Sequence, residues 1–141
     1  MSEMQVNIVT PAGIVYNHRA RSVIAKAVDG EIGILPNHMP IIVPLTIHSV
    51  RVQRVSIDAE DWIAVNGGVM EVRDNVCSII ADSAERARDI DVERAFEAKQ
   101  RAEEELRKTE AIENKSHSKR AEISLRKAVN RITVSKHKKG N

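Results

Sequence analysis

The chain has 141 residues, which is enough for one compact domain with a small addition but not for two full domains. Its net charge is +2 and only 2% of its residues are aromatic, so a platform on which unpaired bases could stack is difficult to build. The single cysteine excludes an internal disulfide and is typical of a reducing cytoplasm.

Charge is distributed unevenly along the chain. Residues 1–83 carry 6 basic and 9 acidic side chains, whereas residues 84–141 carry 16 and 11, so the two parts have net charges of −3 and +5. The basic part could contact nucleic acid, an acidic protein or a polyphosphate. The sequence has no apolar run of about 20 residues and no charged-then-apolar leader. We therefore expect a soluble protein that is made without an export signal and does not insert into a membrane.

The first part of the chain has the alternation of apolar and polar residues that is typical of β-strands, with glycine or proline between the runs. Pro44 indicates an edge or a bulge, and Gly67-Gly68 is compatible with either a hairpin turn or a bulge. Cys77 alternates with Ile79, so we expect a buried thiol. The predicted strands are Met4–Val9, Ile14–Asn17, Ser22–Val28, the start of Glu31–Pro40, Ile41–Val55, Trp62–Val65, Val69–Val72 and Val76–Ala81.

Eight or more short strands separated by turn signals predict a β-sandwich or a barrel. No helical stretch of about ten residues interrupts them, which argues against a parallel sheet built from βαβ units.

The second part of the chain is predicted to form two helices. Asp89 or Asp91 can cap the first helix, whose apolar positions recur at intervals of three and four residues. Glu110–Ser118 is predicted to be a loop, with Ser116 or Ser118 as the next cap. The two apolar stripes are Ala95, Ala98, Ala102 and Leu106 on the first helix, and Ala121, Leu125, Ala128, Val129 and Ile132 on the second.

Two short stripes that face each other predict an antiparallel helical hairpin. Because the seam is mostly alanine, it buries little apolar area and should contribute only a few kcal/mol at about 25 cal/mol per Å². We therefore expect a firm β body with a loosely attached helical arm. The closing residues, Lys136–Asn141, are predicted to be a frayed tail.

No catalytic constellation is present, and the five histidines lack partners at metal-ligand spacing, so we expect neither an enzyme nor a metal site. Arg94 and Arg101 lie on one face of the first helix, and Lys127 and Arg131 share a face of the second. In a closed hairpin these cations converge near Asp91, which would suit a polyphosphate. The alternative is a solvated face with ordinary ion pairs, and spacing alone favours it.

Four stretches of the chain together resemble one family. In their order and over nearly the whole length, they are similar to the epsilon subunit of the bacterial F-type ATP synthase, known in mitochondria as the delta subunit. The stretches are Gly30–Pro40, Gly67–Val72, Ala81–Glu85 and Arg120–Ile132.

The resemblance implies an α+β fold, with a ten-stranded antiparallel β-sandwich in residues 1–84 and a two-helix antiparallel hairpin in residues 85–141. It implies a non-catalytic rotor subunit in the central stalk of a proton-translocating synthase, peripheral to the cytoplasmic face of the cell membrane. The implied partners are the gamma subunit and the c-ring, and the alpha and beta subunits when the arm is extended. In that extended state the family's arm blocks ATP hydrolysis.

The resemblance also implies a regulatory ATP site, although no cofactor is required. The family's signature for ATP binding is matched by Ile90-Asp91-Val92-Glu93-Arg94-Ala95. Glu85, Arg101 and Arg131 fall at further positions of that site. Lys127 stands where the ATP-binding members have arginine, so an ammonium point charge replaces a planar guanidinium with its fork of N–H donors. Glu31 and His38 fall in loops that the family places at the c-ring.

A second hypothesis is an adapter whose basic helical arm binds nucleic acid. Such an arm needs a continuous basic face and benefits from aromatic side chains. Acidic residues interrupt the face, and aromatic residues are missing from most of the arm. The interrupting residues are Glu97, Glu103, Glu104, Glu105 and Glu110.

Overall fold

The computed structural model describes residues 2–112 and 114–138 of the chain. The described residues form a β domain followed by two helices, and a short 3₁₀ helix (Ala87–Asp89) joins the two parts. Within these ranges, neither helix has the length and apolar character needed to cross a membrane. The elements are β1 (Met4–Thr10), β2 (Gly13–Ala27), β3 (Gly30–Ile34), β4 (Ile41–Arg54), β5 (Glu60–Arg73), β6 (Val76–Ala81), β7 (Ala84–Arg86), α1 (Val92–Ala111) and α2 (Lys115–Ser135).

The sheet closes on itself like a small barrel. Its strand order is β1-β6-β5-β4-β2-β3, and β1 also pairs with β2, so five strands form the closed path. The β1–β6 pairing is parallel and the other pairings are antiparallel, whereas an entirely antiparallel sandwich was expected. β7 pairs with β5, so the sheet extends past the domain boundary predicted at residues 84 and 85.

The described residues form seven strands rather than the ten that the resemblance implied. Two of the long strands, β2 and β5, each contain two of the predicted short strands. In β2, the pairing with β4 shifts between Ala20 and Ser22, and this irregularity bends the strand without ending it. The α+β class, with a sandwich-like domain before two helices, is confirmed.

The two glycines of β5 allow close approach of β6. The pairing of β5 with β4 continues through them, so they do not form a hairpin turn. Gly67 and Gly68 have φ angles of 87° and 144°. A Cβ atom at Gly68 would lie 2.2 Å from the carbonyl oxygen of Ile80, a distance that no side chain tolerates.

The main core fills the β domain and includes Tyr16, Ile63 and Met70. Cys77 is fully buried in this core, as predicted, and burial raises the pKa of its thiol to about 12. A second, smaller apolar cluster joins Ala64 of β5 to Ala87, Ile90 and Val134, with Trp62 packed beside it. This second cluster attaches the arm to the β domain.

The helices form the expected hairpin, but its connection is shorter than predicted. Of the two candidate caps for α1, Asp91 is the cap, and its carboxylate accepts from the N–H of Arg94 at 3.1 Å. α1 continues to Ala111 and α2 begins at Lys115, so most of the predicted loop is helical. The predicted serine caps of α2 were wrong, because Asn114 caps this helix by accepting from the N–H of His117 at 3.3 Å.

The alanine seam between the helices is present. Ala95 and Ala102 of α1 and Ala121 and Ala128 of α2 are buried. Val129 was predicted to belong to the seam, but it is 42% exposed, because it is adjacent to Ala128 in sequence and therefore points about 100° away around the helix.

The described end of the chain lies against the β domain instead of fraying. The ring of His137 stacks on Trp62, with 3.5 Å between the ring centroids and 2° between the planes. Lys138 donates from Nζ to the carbonyl oxygen of Ile90 at 3.1 Å. These contacts come from residues far apart in sequence, which explains why local polarity suggested a free tail. The remaining tail residues, 139–141, lie outside the described residues.

We predict that Gly68→Ala destabilises the β domain by about 3 kcal/mol or more, because strain at a positive φ adds to a clash with the backbone of β6. Gly67→Ala is the matched comparison, since its Cβ would meet only the side chain of Asp82 at 3.1 Å. It should cost about 1 to 2 kcal/mol. Urea unfolding of both variants measures the difference, and equal losses would show that the close approach at Gly68 is unimportant.

Candidate functional site

A cleft of about 510 Å³ lies where β7, α1 and α2 meet. Glu85 comes from β7, Asp89 from the 3₁₀ helix, Arg94 and Arg101 from α1, and Arg131 from α2. The cleft therefore exists only while the two helices are folded against each other and against the sheet. Its lining residues are Glu85, Asp89, Asp91, Arg94, Ala95, Ala98, Arg101 and Arg131.

Two of the arginines in this cleft are available for a ligand. Arg94 and Arg101 are exposed, and no carboxylate of the described residues lies within 4.0 Å of either guanidinium. Arg131 is held differently, because its Nε donates to Oε1 of Glu85 at 2.6 Å. Glu85 thus orients Arg131, and a ligand phosphate would compete with or extend that ion pair.

Two further carboxylates of the cleft, those of Asp89 and Asp91, come from the segment that leads into α1. Asp91 uses one oxygen as the helix cap and keeps acceptor capacity on its other oxygen. Asp89 lines the cleft as well, although the sequence presented it only as a helix-capping candidate. The cleft consequently offers acceptors as well as cationic donors, with Glu85 beside Arg131 and Asp91 beside Arg94.

Lys127 lines a neighbouring groove of about 520 Å³ between the two helices. This groove shares Ala98, Arg101 and Arg131 with the first cleft, so the two form one continuous concave surface. Arg120 and His117 also line the groove and were not among the predicted site residues. A signal existed for Arg120, because it precedes Lys127 by seven residues and therefore shares its helix face.

Ile90 lies outside this surface, although the family signature includes it. It is 3% exposed and packs with Ala64, Ala87 and Val134, which fixes the backbone immediately before Asp91. The structure thus gathers seven of the eight predicted positions around the cleft and the adjoining groove. The eighth, Ile90, fixes the backbone that leads into Asp91.

Glu31 and His38 lie elsewhere, at opposite ends of β3. Glu31 accepts from Nη2 of Arg51 at 3.2 Å in an exposed ion pair. His38 follows β3 in an exposed loop, with its Nδ1 2.7 Å from the carbonyl oxygen of Met39. Leu35 and Met39 of that loop are 63% and 73% exposed, so it presents an apolar surface.

A buried charge pair stabilises the β domain near the start of the arm. Arg54 donates from Nε and Nη2 to the two oxygens of Asp61 at 2.9 and 3.1 Å, and the hydroxyl of Tyr16 donates to Asp61 at 2.6 Å. Burial acts to raise the pKa of Asp61, but the hydrogen bonds from Arg54 and Tyr16 outweigh it and hold the pKa below its ordinary value. Burial and the hydrogen bond to Asp61 raise the pKa of Tyr16.

We predict that Asp61→Asn destabilises the protein by about 3 kcal/mol near neutral pH, because it leaves the partly buried Arg54 without its countercharge. Tyr16→Phe removes one hydrogen bond and should cost about 1 kcal/mol. Since the folded-state pKa of Asp61 is depressed, its contribution is complete above the ordinary carboxyl pKa and is lost as the pH falls toward the folded-state value.

Urea unfolding at about pH 7 and about pH 3 tests this prediction. The difference between the original chain and Asp61→Asn should shrink at the lower pH. A difference that stays constant would mean that the carboxylate charge does not contribute to stability.

The fold and the site define a β-sandwich-like domain that carries a helical hairpin with a cationic cleft at its base. Residues 3–87 match the family described as "ATP synthase, Delta/Epsilon chain, beta-sandwich domain", and residues 88–136 match "ATP synthase, Delta/Epsilon chain, long alpha-helix domain". The chain therefore belongs to the delta/epsilon family of ATP synthase, whose members are non-catalytic stalk subunits.

Two solved structures share this fold. A chain in the cryo-EM structure of the Euglena gracilis mitochondrial ATP synthase, OSCP/F1/c-ring in rotational state 1, has a TM-score of 0.79 and 17% identity over 97% of this chain and 83% of that one. A chain in the Tetrahymena thermophila mitochondrial ATP synthase central stalk and c-ring has a TM-score of 0.50 and 17% identity, with 61% of this chain and 68% of that one covered. At these identities the likeness concerns the fold alone.

Proposed function

We propose that the chain is a rotor subunit of an F-type ATP synthase, in which the β domain links the gamma subunit to the c-ring. Membership of the delta/epsilon family supports this role, and so does the presence of the same fold in a central stalk and c-ring assembly. The complex would be proton-translocating, and the subunit would be peripheral to the cytoplasmic face of the membrane. Glu31 and His38 are the proposed c-ring contacts.

The proposed role of the arm is inhibition of ATP hydrolysis. The arm would leave the β domain, extend into the catalytic head and contact the alpha and beta subunits there. The alanine seam between α1 and α2 supports the opening of the hairpin that extension needs, because separating small side chains exposes little apolar surface and costs little free energy. A transition between two arm states is feasible when they differ by only a few kcal/mol.

ATP is the proposed ligand of the concave surface at the base of the arm, and it would favour the folded arm. The single observation that carries this proposal is the convergence of Arg94 and Arg101 from α1 with Arg131 from α2 around one cleft. The polyphosphate would lie along Arg101 and Arg131 toward Lys127, where guanidinium and ammonium donors are concentrated. Asp91 could accept from the amino group of adenine.

ATP would hold the arm in its folded state, because it would bind that state more tightly than the extended one. Because the cleft needs both helices in place, ATP can bind the folded arm but not the extended one. Binding then stabilises the folded arm by RT ln(1 + [ATP]/Kd), and extension becomes less favourable as the ATP concentration rises. Inhibition would consequently be strongest when ATP is scarce.

We expect calorimetry on the isolated protein to detect ATP binding and Arg94→Ala to weaken it about tenfold, because a charge-assisted contact contributes roughly 1.5–3 kcal/mol. Lys127→Arg should tighten binding, since a planar fork can engage two phosphate oxygens. Arg107→Ala is the matched control, because Arg107 is an exposed arginine near the other end of α1. The absence of heat at millimolar ATP would rule out the ligand assignment.

Removing residues 89–141 should raise ATP hydrolysis by the assembled enzyme, because the arm could no longer reach the catalytic head. Recovery of the shortened chain with the gamma subunit serves as the control, since it shows that the β domain still assembles. If assembly is normal and hydrolysis is unchanged over a range of ATP concentrations, the arm is not an inhibitor in this protein. If the full-length chain itself were not recovered with the gamma subunit, that result would instead contradict the rotor assignment.

A further inference from the structure

A second, smaller cavity lies on the side of the β domain where the described end of the chain is attached. Its volume is about 70 Å³, and it lies between the β4–β5 connection, the 3₁₀ helix and the residues that follow α2. Six of its lining residues are Arg54, Asp61, Trp62, Arg86, Arg88 and His137. None of these residues lines the cleft where β7, α1 and α2 meet (the arm cleft) or the groove beside it.

Positive charge is in excess around this cavity. Asp61 is the only carboxylate of the described residues that lines it, and it already accepts from Arg54 and from Tyr16. Arg86 lies over the ring of Tyr16 at 5.2 Å, and no carboxylate of the described residues lies within 4.0 Å of its guanidinium. Arg88 is 4.0 Å from Asp89 in a pair whose side chains are both 62% exposed, so that pair neutralises little charge.

The arginines of the cavity also lower the pKa values of the same neighbouring groups, which indicates that their positive charges act together. Burial lowers the pKa of His18, and Arg54, Arg86 and Arg88 each lower it further. Arg54 and Arg86 both contribute to the depressed pKa of Asp61. Guanidinium groups that line one small cavity repel one another, and an anion bound between them would offset that repulsion.

The size of the cavity selects the class of anion. A single water needs about 10–15 Å³ by this measure, so the cavity holds roughly five non-hydrogen atoms. A tetrahedral oxyanion has that number, whereas a nucleoside or a nucleotide is far too large. Arginine N–H groups in a fork match the oxygen spacing of such an anion, and a histidine ring can supply a further donor.

We infer that this cavity is a binding site for one small tetrahedral oxyanion of the inorganic phosphate class, held by Arg86, Arg88 and His137. Arg54 contributes positive charge while it remains bonded to Asp61. The site is distinct from the proposed ATP site and does not depend on it.

Occupation of this site would favour the attached form of the arm. His137 forms one wall only while its ring stacks on Trp62, and Arg86 belongs to the β domain. A bound oxyanion therefore connects the sheet to the residues that follow α2. It would be released when those residues leave, so phosphate would stabilise the attached arm by mass action.

The test uses the full-length protein and inorganic phosphate, with potassium chloride at matched ionic strength. Trp62 is the single tryptophan and contacts His137, so its fluorescence reports the attachment. We expect a saturable change with phosphate and a corresponding phosphorus NMR shift. Arg88→Ala should weaken phosphate binding about tenfold, and the exposed Arg107→Ala should leave it unchanged.

His137→Ala supplies a second measurement, because it removes one wall without touching the arginines. It should weaken phosphate binding in the NMR experiment while thermal unfolding shows a folded β domain. Arg101→Ala separates this site from the arm cleft, because it should weaken ATP binding and spare the phosphate response. This comparison makes the two proposals fail independently.

Three results would overturn the inference. An equal response to chloride would show ionic screening instead of a site. Loss of the phosphate response in Arg101→Ala, with retention in Arg88→Ala, would place phosphate in the arm cleft. Unchanged phosphate binding in both Arg88→Ala and His137→Ala would show that these residues do not hold the anion.

Discussion

The arrangement of the whole arm depends on a buried amide, Asn130 of α2, which is 8% exposed. Its Nδ2 donates to the carbonyl oxygen of Val65 at 3.2 Å and to Oδ1 of Asn66 at 3.3 Å. Asn66 in turn donates to the hydroxyl of Ser83 at 2.9 Å. Buried polar groups that lose their partners cost about 1–3 kcal/mol each, so α2 has one favourable position on the sheet. The alanine seam, by contrast, sets no comparable register.

This contact attaches the arm to the sheet, which the alanine seam between the two helices does not do. α2 packs on the sheet through Asn130 and Val134, whereas α1 is held mainly through α2 and through its cap at Asp91. The ion pair between Arg131 and Glu85 lies one residue beyond Asn130, so the same turn of α2 that attaches the arm also forms the arm cleft. Attachment of the arm and formation of the arm cleft are therefore coupled by geometry.

The sequence revealed the parts of the fold that local patterns determine. Alternation located most strand residues, and the three- and four-residue spacing located both helices. Local patterns did not reveal that β2 and β5 run through bends, because their continuity depends on pairing with distant strands. The attachment of His137 to Trp62 escaped notice for the same reason, since 75 positions separate the two residues. Asn114 was missed because Ser116 and Ser118, which lie two and four residues after it, belong to a residue type that caps helices equally well.

Site residues were predictable to the extent that helix geometry places them. A spacing of seven put Arg94 and Arg101 on one face, and the structure places both in one cleft. Lys127 and Arg131 are four residues apart, which leaves about 40° and 6 Å between them on an α-helix. That offset directs Lys127 into the neighbouring groove while Arg131 reaches both concavities. Helix faces could be read from spacing, but the boundary between two grooves could not.

The arm cleft and the small cavity beside His137 depend on different parts of the fold, because their charged residues come from different elements. The arm cleft combines α1, α2 and β7, so its integrity requires a closed hairpin. The small cavity combines β4, β5, β7, the 3₁₀ helix and the residues after α2, so its integrity requires attachment of the chain end and does not involve α1. α1 could therefore separate from α2 while His137 remains on Trp62, since no contact of that stack belongs to α1. Under the two proposals, opening of the hairpin and detachment of α2 would be separable steps. A ligand of the arm cleft would act on both, whereas an anion in the small cavity would act on detachment alone.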